Sequence, residues 1–284
     1  MSTVSTVLRS VLYMPSSNAR ALEKAKALPA DAIIFDLEDA VAPDAKEAAR
    51  DAACAAVQSG AYGRRTLTIR CNGLDTPWGR ADLSAAAGAR PDAVVLPKVS
   101  GRPHLDEVVA VTGPDVRLWA MVETPAAVFA VREIAAHPQV DVLVVGTNDL
   151  AKELRAALVP GRAPLLPHLA TIVLAAREAG VKVLDGVYND VRDLQGFEAE
   201  CRQGAELGFD GKTLVHPSQV EVANRVWAPS EAEVEHAGRV IAAFEEASAA
   251  GRGVVTVDGR MVENLHVDDA RRVLATAEAV AALG

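Results

Sequence analysis

Cysteine is scarce in this 284-residue chain. Cys54, Cys71 and Cys201 are scattered, odd in number and show no C-x-x-C spacing, which argues against a disulfide scaffold or a thiolate metal site and for a reduced, cytoplasmic setting. Aromatic residues reach only 4%, while half the chain is hydrophobic and rich in Ala and Val. That balance favours helices packed on a parallel sheet over a β-sandwich. Positive charge is also in deficit: the formal net charge of −9 gives no reason to expect nucleic acid or an acidic membrane as partner. No apolar run is long enough to span a bilayer. Met1–Leu8 lacks the basic-then-apolar pattern of a signal peptide. The histidines at 104, 137, 168, 236 and 266 share no ligand spacing, and His216, set before a proline, reads as a loop hydrogen-bonder.

What is present is alternation. Short apolar runs at Ser10–Met14, Ala32–Asp36, Thr66–Arg70, Ala93–Leu96, Arg117–Val122, Val142–Val145, Lys182–Leu184 and Gly211–Val215 read as eight strands buried on both faces. Between them, Ala19–Leu28, Asp44–Ser59, Ala126–Ala136, Leu165–Ala179 and Val191–Leu207 read as helices, with Asp44 and Asp190 as candidate N-caps. Eight strand–helix repeats predict a (β/α)₈ TIM barrel over residues 1–228, with an open doubly wound sheet as the alternative. Residues 229–284 form a C-terminal helical extension: a helix over Pro229–Ala250 opened by a Ser230/Glu233 capping box, an apolar turn, an Asp258-Gly259 turn and a last helix near Val267–Ala282. The extension is too small to stand alone and is expected to pack on the barrel or on a neighbouring subunit.

In a TIM barrel the chemistry sits at the carboxyl ends of the strands. Here these ends read Asp36-Leu37-Glu38-Asp39, Arg70-Cys71-Asn72, Pro97-Lys98, Glu123-Thr124-Pro125, Gly146-Thr147-Asn148-Asp149 and Asp185. Six consecutive strands are thus expected to deliver charged groups to one rim, which folding alone does not require. Carboxylates predominate, so a hard cation, Mg²⁺ or Mn²⁺, fits better than zinc. Glu123 and Asp149 are the candidate metal ligands, and Arg70 would face a carboxylate or a developing oxyanion. Plainer readings exist. Asp149 is placed to cap the next helix. Glu38 and Asp39 are placed to brace the barrel mouth by pairing with Arg9, Arg70 or Lys98. Lys98 as a Schiff-base nucleophile is disfavoured, because its acidic neighbours keep it charged.

These segments resemble the citrate lyase β-subunit-like family of CoA ester lyases, within the metal-dependent HpcH/HpaI aldolases. The resemblance is carried by Arg9–Pro15, FDLEDAVAPDAK (Phe35–Lys46), IRCNG (Ile69–Gly73), VLPKV (Val95–Val99), MVETP (Met121–Pro125), GTNDL (Gly146–Leu150), GFDGK (Gly208–Lys212), VHPSQV (Val215–Val220) and Asp258–Val262. It implies a Mg²⁺-dependent barrel that cleaves or forms a 3-hydroxyacyl-CoA, such as malyl-CoA or citramalyl-CoA, with acetyl-CoA and an α-keto acid on the other side. By the same resemblance Glu123 and Asp149 hold the metal, and Arg70 polarises the keto-acid carbonyl. Asp36, Glu38 and Asp39 line the site behind the metal, and Asn148 joins Asp149 in contacting substrate. Ser17, Asn18, Arg20 and Lys24 approach CoA. A carboxylate after the Met-Val pair, here Glu263 where relatives carry aspartate, serves as acid/base from a neighbouring subunit of a homotrimer or dimer of trimers. Ser16 stands where relatives commonly have glycine. The rival activities are a thioesterase or malate-synthase-like reaction, an aldolase on free keto acids, and a citrate lyase β subunit working in a complex.

Overall fold

The computed structural model describes residues 7–251 and 253–283; most of the Met1–Leu8 stretch read above as leader-free lies outside them. The chain divides into two compact units, one spanning Leu8–Val226 and the other running from Trp227 onward.

The first unit is a TIM barrel. Its elements run β1 (Ser10–Pro15), α1 (Ala19–Ala25), β2 (Ala32–Asp36), α2 (Lys46–Gln58), β3 (Thr66–Arg70), α3 (Gly79–Ala89), β4 (Ala93–Leu96), α4 (Arg102–Thr112), β5 (Leu118–Val122), α5 (Pro125–Phe129), α6 (Val131–Ala135), β6 (Val140–Val145), α7 (Thr147–Leu154), α8 (Leu166–Ala179), β7 (Lys182–Asp185), α9 (Leu194–Leu207), β8 (Gly211–Leu214) and α10 (Val220–Trp227). The eight strands pair in chain order, all parallel, and β8 closes on β1 through Ser10–Lys212, Val11–Thr213 and Leu12–Leu214. Closure brings strand backbones close together. A Cβ at Gly211 would overlap the Leu8 carbonyl, so only glycine fits at the start of β8.

The strand alternation divides the core. Val11, Ala32, Ile34, Val95, Trp119, Met121, Val144 and Leu184 form one cluster inside the barrel. The residues between them, such as Ile33 and Phe35, point outward under the helices and are equally buried, with Phe35 meeting the edge of Tyr62 at 5.2 Å. This is why the strands read as unbroken apolar runs: both parities are dry.

Several local expectations are corrected. Asp44 lies within a 3₁₀ turn (Pro43–Ala45) and does not cap α2, which starts at Lys46 without a side-chain cap. The cap of α9 is Asp193, accepting from the Gly196 amide at 2.9 Å, and not Asp190. The predicted helix Ala126–Ala136 is two short helices joined at Ala130. Asp149 is not an N-cap: α7 begins at Thr147 after Gly146, leaving Asp149 in the first turn with its carboxylate uncommitted to capping.

The second unit is a helical hairpin, α11 (Glu231–Ala249) and α12 (Asn264–Ala281), with an antiparallel ribbon between them, β9 (Val255–Val257) and β10 (Arg260–Val262). The ribbon replaces the apolar turn expected over 251–257. Asp258 and Gly259 both adopt positive φ, 50° and 77°, as a tight hairpin turn requires. The capping box at Ser230 is present, with Glu233 Oε2 accepting from the Ser230 amide at 2.8 Å. Ala237, Val240, Val257, Val262, Val267 and Ala270 form its core. No helix among the described residues is long and apolar enough to cross a membrane.

Candidate active site

Strand parity places the site. In β2 the inward residues are Ala32 and Ile34, so the next inward position is Asp36. In β5 they are Trp119 and Met121, followed by Glu123. Arg70 ends β3 in register with Asp36. The top interior layer is therefore charged where the layers below are apolar, and it floors a cavity of about 320 Å³ at the carboxyl ends of the strands. Tyr13, Asp39, Thr147, Asn148, Asp149, Asn189 and Thr213 complete much of its wall.

Asp36 and Arg70 form a two-pronged ion pair: Nε donates to Oδ1 and Nη2 to Oδ2, both at 2.7 Å. Asp36 also accepts from the Glu38 amide at 2.9 Å and the Ala40 amide at 3.2 Å, so its oxygens are spent on structure. Arg70 Nη1 lies 2.7 Å from Glu38 Oε2 and 3.5 Å from Asp39 Oδ2. Asp36 takes one N–H each from Nε and Nη2, and Glu38 and Asp39 both draw on Nη1, so the second Nη2 N–H is the one left for a ligand oxygen. The guanidinium also stacks 4.8 Å from the Tyr13 ring centroid. Burial, with Asp36 and Glu123 reinforcing it and Arg70 opposing it, keeps the Tyr13 phenol protonated well above its ordinary range. Burial likewise raises Glu38, against the pull of Arg70.

Glu123 is buried, and its carboxyl is pushed up to about 7, first by burial and then by Glu38 and Asp149; the Lys98 amide and Arg70 work the other way. The Lys98 N–H donates to Glu123 Oε1 at 2.6 Å. A Cβ on Gly146 would overlap the Glu123 side chain, so the glycine of GTNDL is the space through which Glu123 passes. Asp149 faces the same cavity from the first turn of α7, where its charge also suits the helix N-terminus. Among the described residues no cluster of three or more His, Cys, Asp and Glu forms a metal cage. A pair of carboxylates on one cavity instead suits a hard cation that keeps water and substrate oxygens as its other ligands. The mutual repulsion of Glu38, Glu123 and Asp149 is the charge such an ion neutralises. Lys98 is half-exposed, with Nζ 3.6 Å from Glu38 Oε1. Burial pulls its ammonium down, but Glu38, Glu123 and Asp149 outweigh that and leave it above the ordinary lysine value, as the argument against a Schiff base anticipated.

The sequence reading missed Lys46, the last residue of FDLEDAVAPDAK. Its buried ammonium donates to the Leu37 and Glu38 carbonyls, both at 2.7 Å, and to Asn72 Oδ1 at 2.8 Å, 5.4 Å from the Trp78 ring. Asn72 in turn donates to the Leu37 carbonyl at 2.9 Å and to Asp82 at 2.6 Å. Lys46 thus ties down the loop that carries Glu38. The signal available was a lysine seven residues beyond the acidic run that ends at Asp39, on a helix face otherwise small and apolar.

Asp185 is misplaced by the rim argument. Leu184 points into the barrel, so Asp185 points out of it, fully buried behind the wall. There it accepts from Arg162 Nη1 at 2.7 Å and from Lys212 Nζ at 2.9 Å, and Lys212 also reaches Glu200 at 2.8 Å. Lys212 and Arg162 hold the Asp185 carboxyl below its ordinary value although burial pushes the other way. Ser17, Asn18, Arg20 and Lys24 are exposed on the loop and short helix after β1, and the Asn18 side chain caps that helix through the Ala21 amide at 3.0 Å. Ser16 is buried, with its hydroxyl unpartnered and its amide bonded to the Asp36 carbonyl at 3.1 Å. Glu263 belongs to the second unit, at the entrance to α12, where its amide donates to His266 Nδ1 at 3.1 Å.

Comparison with known proteins agrees on ancestry. The profile of the HpcH/HpaI aldolase/citrate lyase family matches residues 9–217, and that of a C–C bond lyase of the TIM-barrel fold matches residues 159–281. A (3S)-malyl-CoA thioesterase of Cereibacter sphaeroides is 54% identical over 276 residues, covering 97% of this chain and 96% of that protein. The citrate lyase β subunit of Escherichia coli K12 is 37% identical over 281 residues, covering 95% and 93%. Among solved structures, CitE of Mycobacterium tuberculosis in complex with magnesium, acetoacetate and coenzyme A superposes with a TM-score of 0.80 at 30% identity, covering 97% of this chain and 99% of that one.

Proposed function

The chain belongs to the HpcH/HpaI aldolase/citrate lyase family, and from that premise we propose that it is a Mg²⁺-dependent lyase cleaving a malyl-CoA-type 3-hydroxyacyl thioester into acetyl-CoA and an α-keto acid. The observation that carries this reading is the single cavity onto which Glu123, Asp149 and the part-free Arg70 all open. Glu123 and Asp149 hold the ion, with Mn²⁺ able to substitute. When bound, the ion supplies Lewis-acid stabilisation to the oxygen that becomes the keto carbonyl.

The chain's own groups do the rest. The N–H of Arg70 left free by its carboxylate partners orients the substrate carboxylate or 3-oxygen, and the guanidinium keeps its proton throughout, raised by Asp36 against burial. The 3-hydroxyl loses its proton, the C2–C3 bond breaks, its electron pair passes into the thioester enolate, and C2 then gains a proton. Glu263 of a neighbouring copy serves as that acid, in a cytoplasmic homotrimer or dimer of trimers, and Ser17, Asn18, Arg20 and Lys24 meet the CoA. Asp36, Glu38 and Asp39 act by fixing and neutralising Arg70.

A second reading, hydrolysis of the same thioester, is favoured by the 54% identity to the malyl-CoA thioesterase. One assay separates the two. With malyl-CoA and Mg²⁺, cleavage releases glyoxylate and no free thiol, whereas hydrolysis releases malate and free CoA. Turnover of neither kind, or full turnover in EDTA, contradicts the proposal. A silent Glu263→Ala removes the cross-subunit acid.

A further inference from the structure

The chain has three tyrosines, and two of them give their hydroxyl to an oxygen. Tyr62 donates to the Leu22 carbonyl at 3.0 Å, and Tyr188 donates to Asp193 Oδ2 at 2.6 Å. Tyr13 differs. Among the described residues its hydroxyl meets the Met121 thioether alone, with Oη 4.0 Å from Sδ. A thioether sulfur is a weak acceptor, so the O–H is left largely unsatisfied.

Its place in the barrel gives that O–H a use. Tyr13 pairs with Ile34 in the β1–β2 register, one inward step below Pro15 and Asp36, and its ring packs on the apolar cluster of the interior. Met121 stands on β5 one inward step below Glu123. In the closed strand order β1 and β5 are opposite each other, so the side chain crosses the interior and ends beneath the candidate metal ligand. It lines the same cavity as Arg70, Glu123 and Asp149, and the Arg70 guanidinium stacks on its ring. A phenyl ring would fill this floor and carry the guanidinium equally well. The hydroxyl brings a desolvation cost that is recovered when a bound oxygen accepts from it. Burial holds the phenol in its protonated form, so it is a donor at neutral pH.

We propose that Tyr13 is a further substrate-binding residue, whose hydroxyl donates a hydrogen bond from the cavity floor to an oxygen of the α-keto acid held at Arg70, Glu123 and Asp149. Tyr13 would then serve the site twice, its ring under Arg70 and its O–H toward the ligand. The inference rests on the keto-acid reading of the site.

The test is calorimetric binding of pyruvate at saturating Mg²⁺, beside Mn²⁺ binding without any keto acid, in the parent chain, Tyr13→Phe and Tyr62→Phe. Tyr13→Phe keeps the ring and removes the O–H. It weakens pyruvate about tenfold or more, as expected for losing a donor to a charged ligand, while Mn²⁺ affinity and far-UV circular dichroism stay at the parent values. Tyr62→Phe, which removes a hydroxyl remote from the cavity, leaves pyruvate affinity unchanged. With malyl-CoA and Mg²⁺, Tyr13→Phe lowers kcat/KM by a comparable factor. Pyruvate affinity that is unchanged in Tyr13→Phe, or a loss matched by an equal loss of Mn²⁺ affinity, overturns the proposal. A parent chain that binds the metal and no keto acid overturns the reading of the site together with this inference, whereas parent binding that survives in Tyr13→Phe removes the role of the hydroxyl alone.

Discussion

Two salt-bridged pairs join neighbouring strands of this barrel, each built on an aspartate at a strand's carboxyl end, and in the sequence the two aspartates look alike. Asp36 of β2 is in register with Arg70 of β3, and Asp185 of β7 is in register with Lys212 of β8. The first pair faces the cavity and keeps a guanidinium N–H to spare. The second faces outward, is sealed beneath α9, and is closed by Arg162 and Glu200. One residue of strand parity separates a candidate catalytic group from a structural one. A charge at a barrel strand end is therefore evidence for a site only once its parity is counted from the apolar layers beneath it.

The contrast predicts opposite phenotypes. The largest effect falls on the inward side: Glu123→Gln reduces metal-dependent turnover to background with the far-UV circular dichroism unchanged. Arg70→Ala follows, lowering kcat/KM by about 10²–10³-fold, as expected for losing one preorganised donor to a developing oxyanion. On the outward side, Lys212→Met strands the Asp185 charge in the interior and lowers unfolding stability by about 3–5 kcal/mol in urea melts, while kcat per folded molecule stays at the parent value. Lys46→Met belongs between the two classes. It leaves three acceptors short of a donor, costing about 1–3 kcal/mol of stability, and it loosens Glu38, so kcat/KM falls by about tenfold as well.

The smallest effect is one of pH. The raised Glu123 carboxyl binds its proton more tightly folded than unfolded, so in EDTA its contribution is present below the ordinary value of 4.5 and is lost as pH rises through about 7. Thermal melts should then fall by a few degrees between pH 5 and 8, and Glu123→Gln or added Mg²⁺ should flatten that slope. Asp185, depressed in the folded state, has the reverse sign: its contribution holds through neutrality and is lost only in acid, below the ordinary carboxylate range.

Much of this was legible in the sequence. The eight strands were readable because burial on both faces makes them continuous apolar runs between helical patterns, and the ends of the runs at Asp36, Arg70 and Glu123 marked the charged layer. What stayed hidden depended on facing and on distance. The outward turn of Asp185 required a parity count against the interior cluster. Lys46 reads as one more charge on a helix face until its three acceptors come together, and Asn189 carries no pattern at all before its amide meets Asn148 across 41 residues of chain. The expected cap at Asp190 failed because Asp193, three residues on, holds that position, and the one at Asp44 failed because a 3₁₀ turn carries the chain into α2 with no side-chain cap at all.

The central claim, that inward parity makes a cation site and outward parity does not, is tested most directly by counting bound Mn²⁺ by electron paramagnetic resonance. The parent chain should hold one tightly bound ion, Glu123→Gln and Asp149→Asn should each lose it, and Lys212→Met should keep it wherever its near-UV circular dichroism remains that of the parent. Tight binding that survives in Glu123→Gln, or that disappears in folded Lys212→Met, would contradict it.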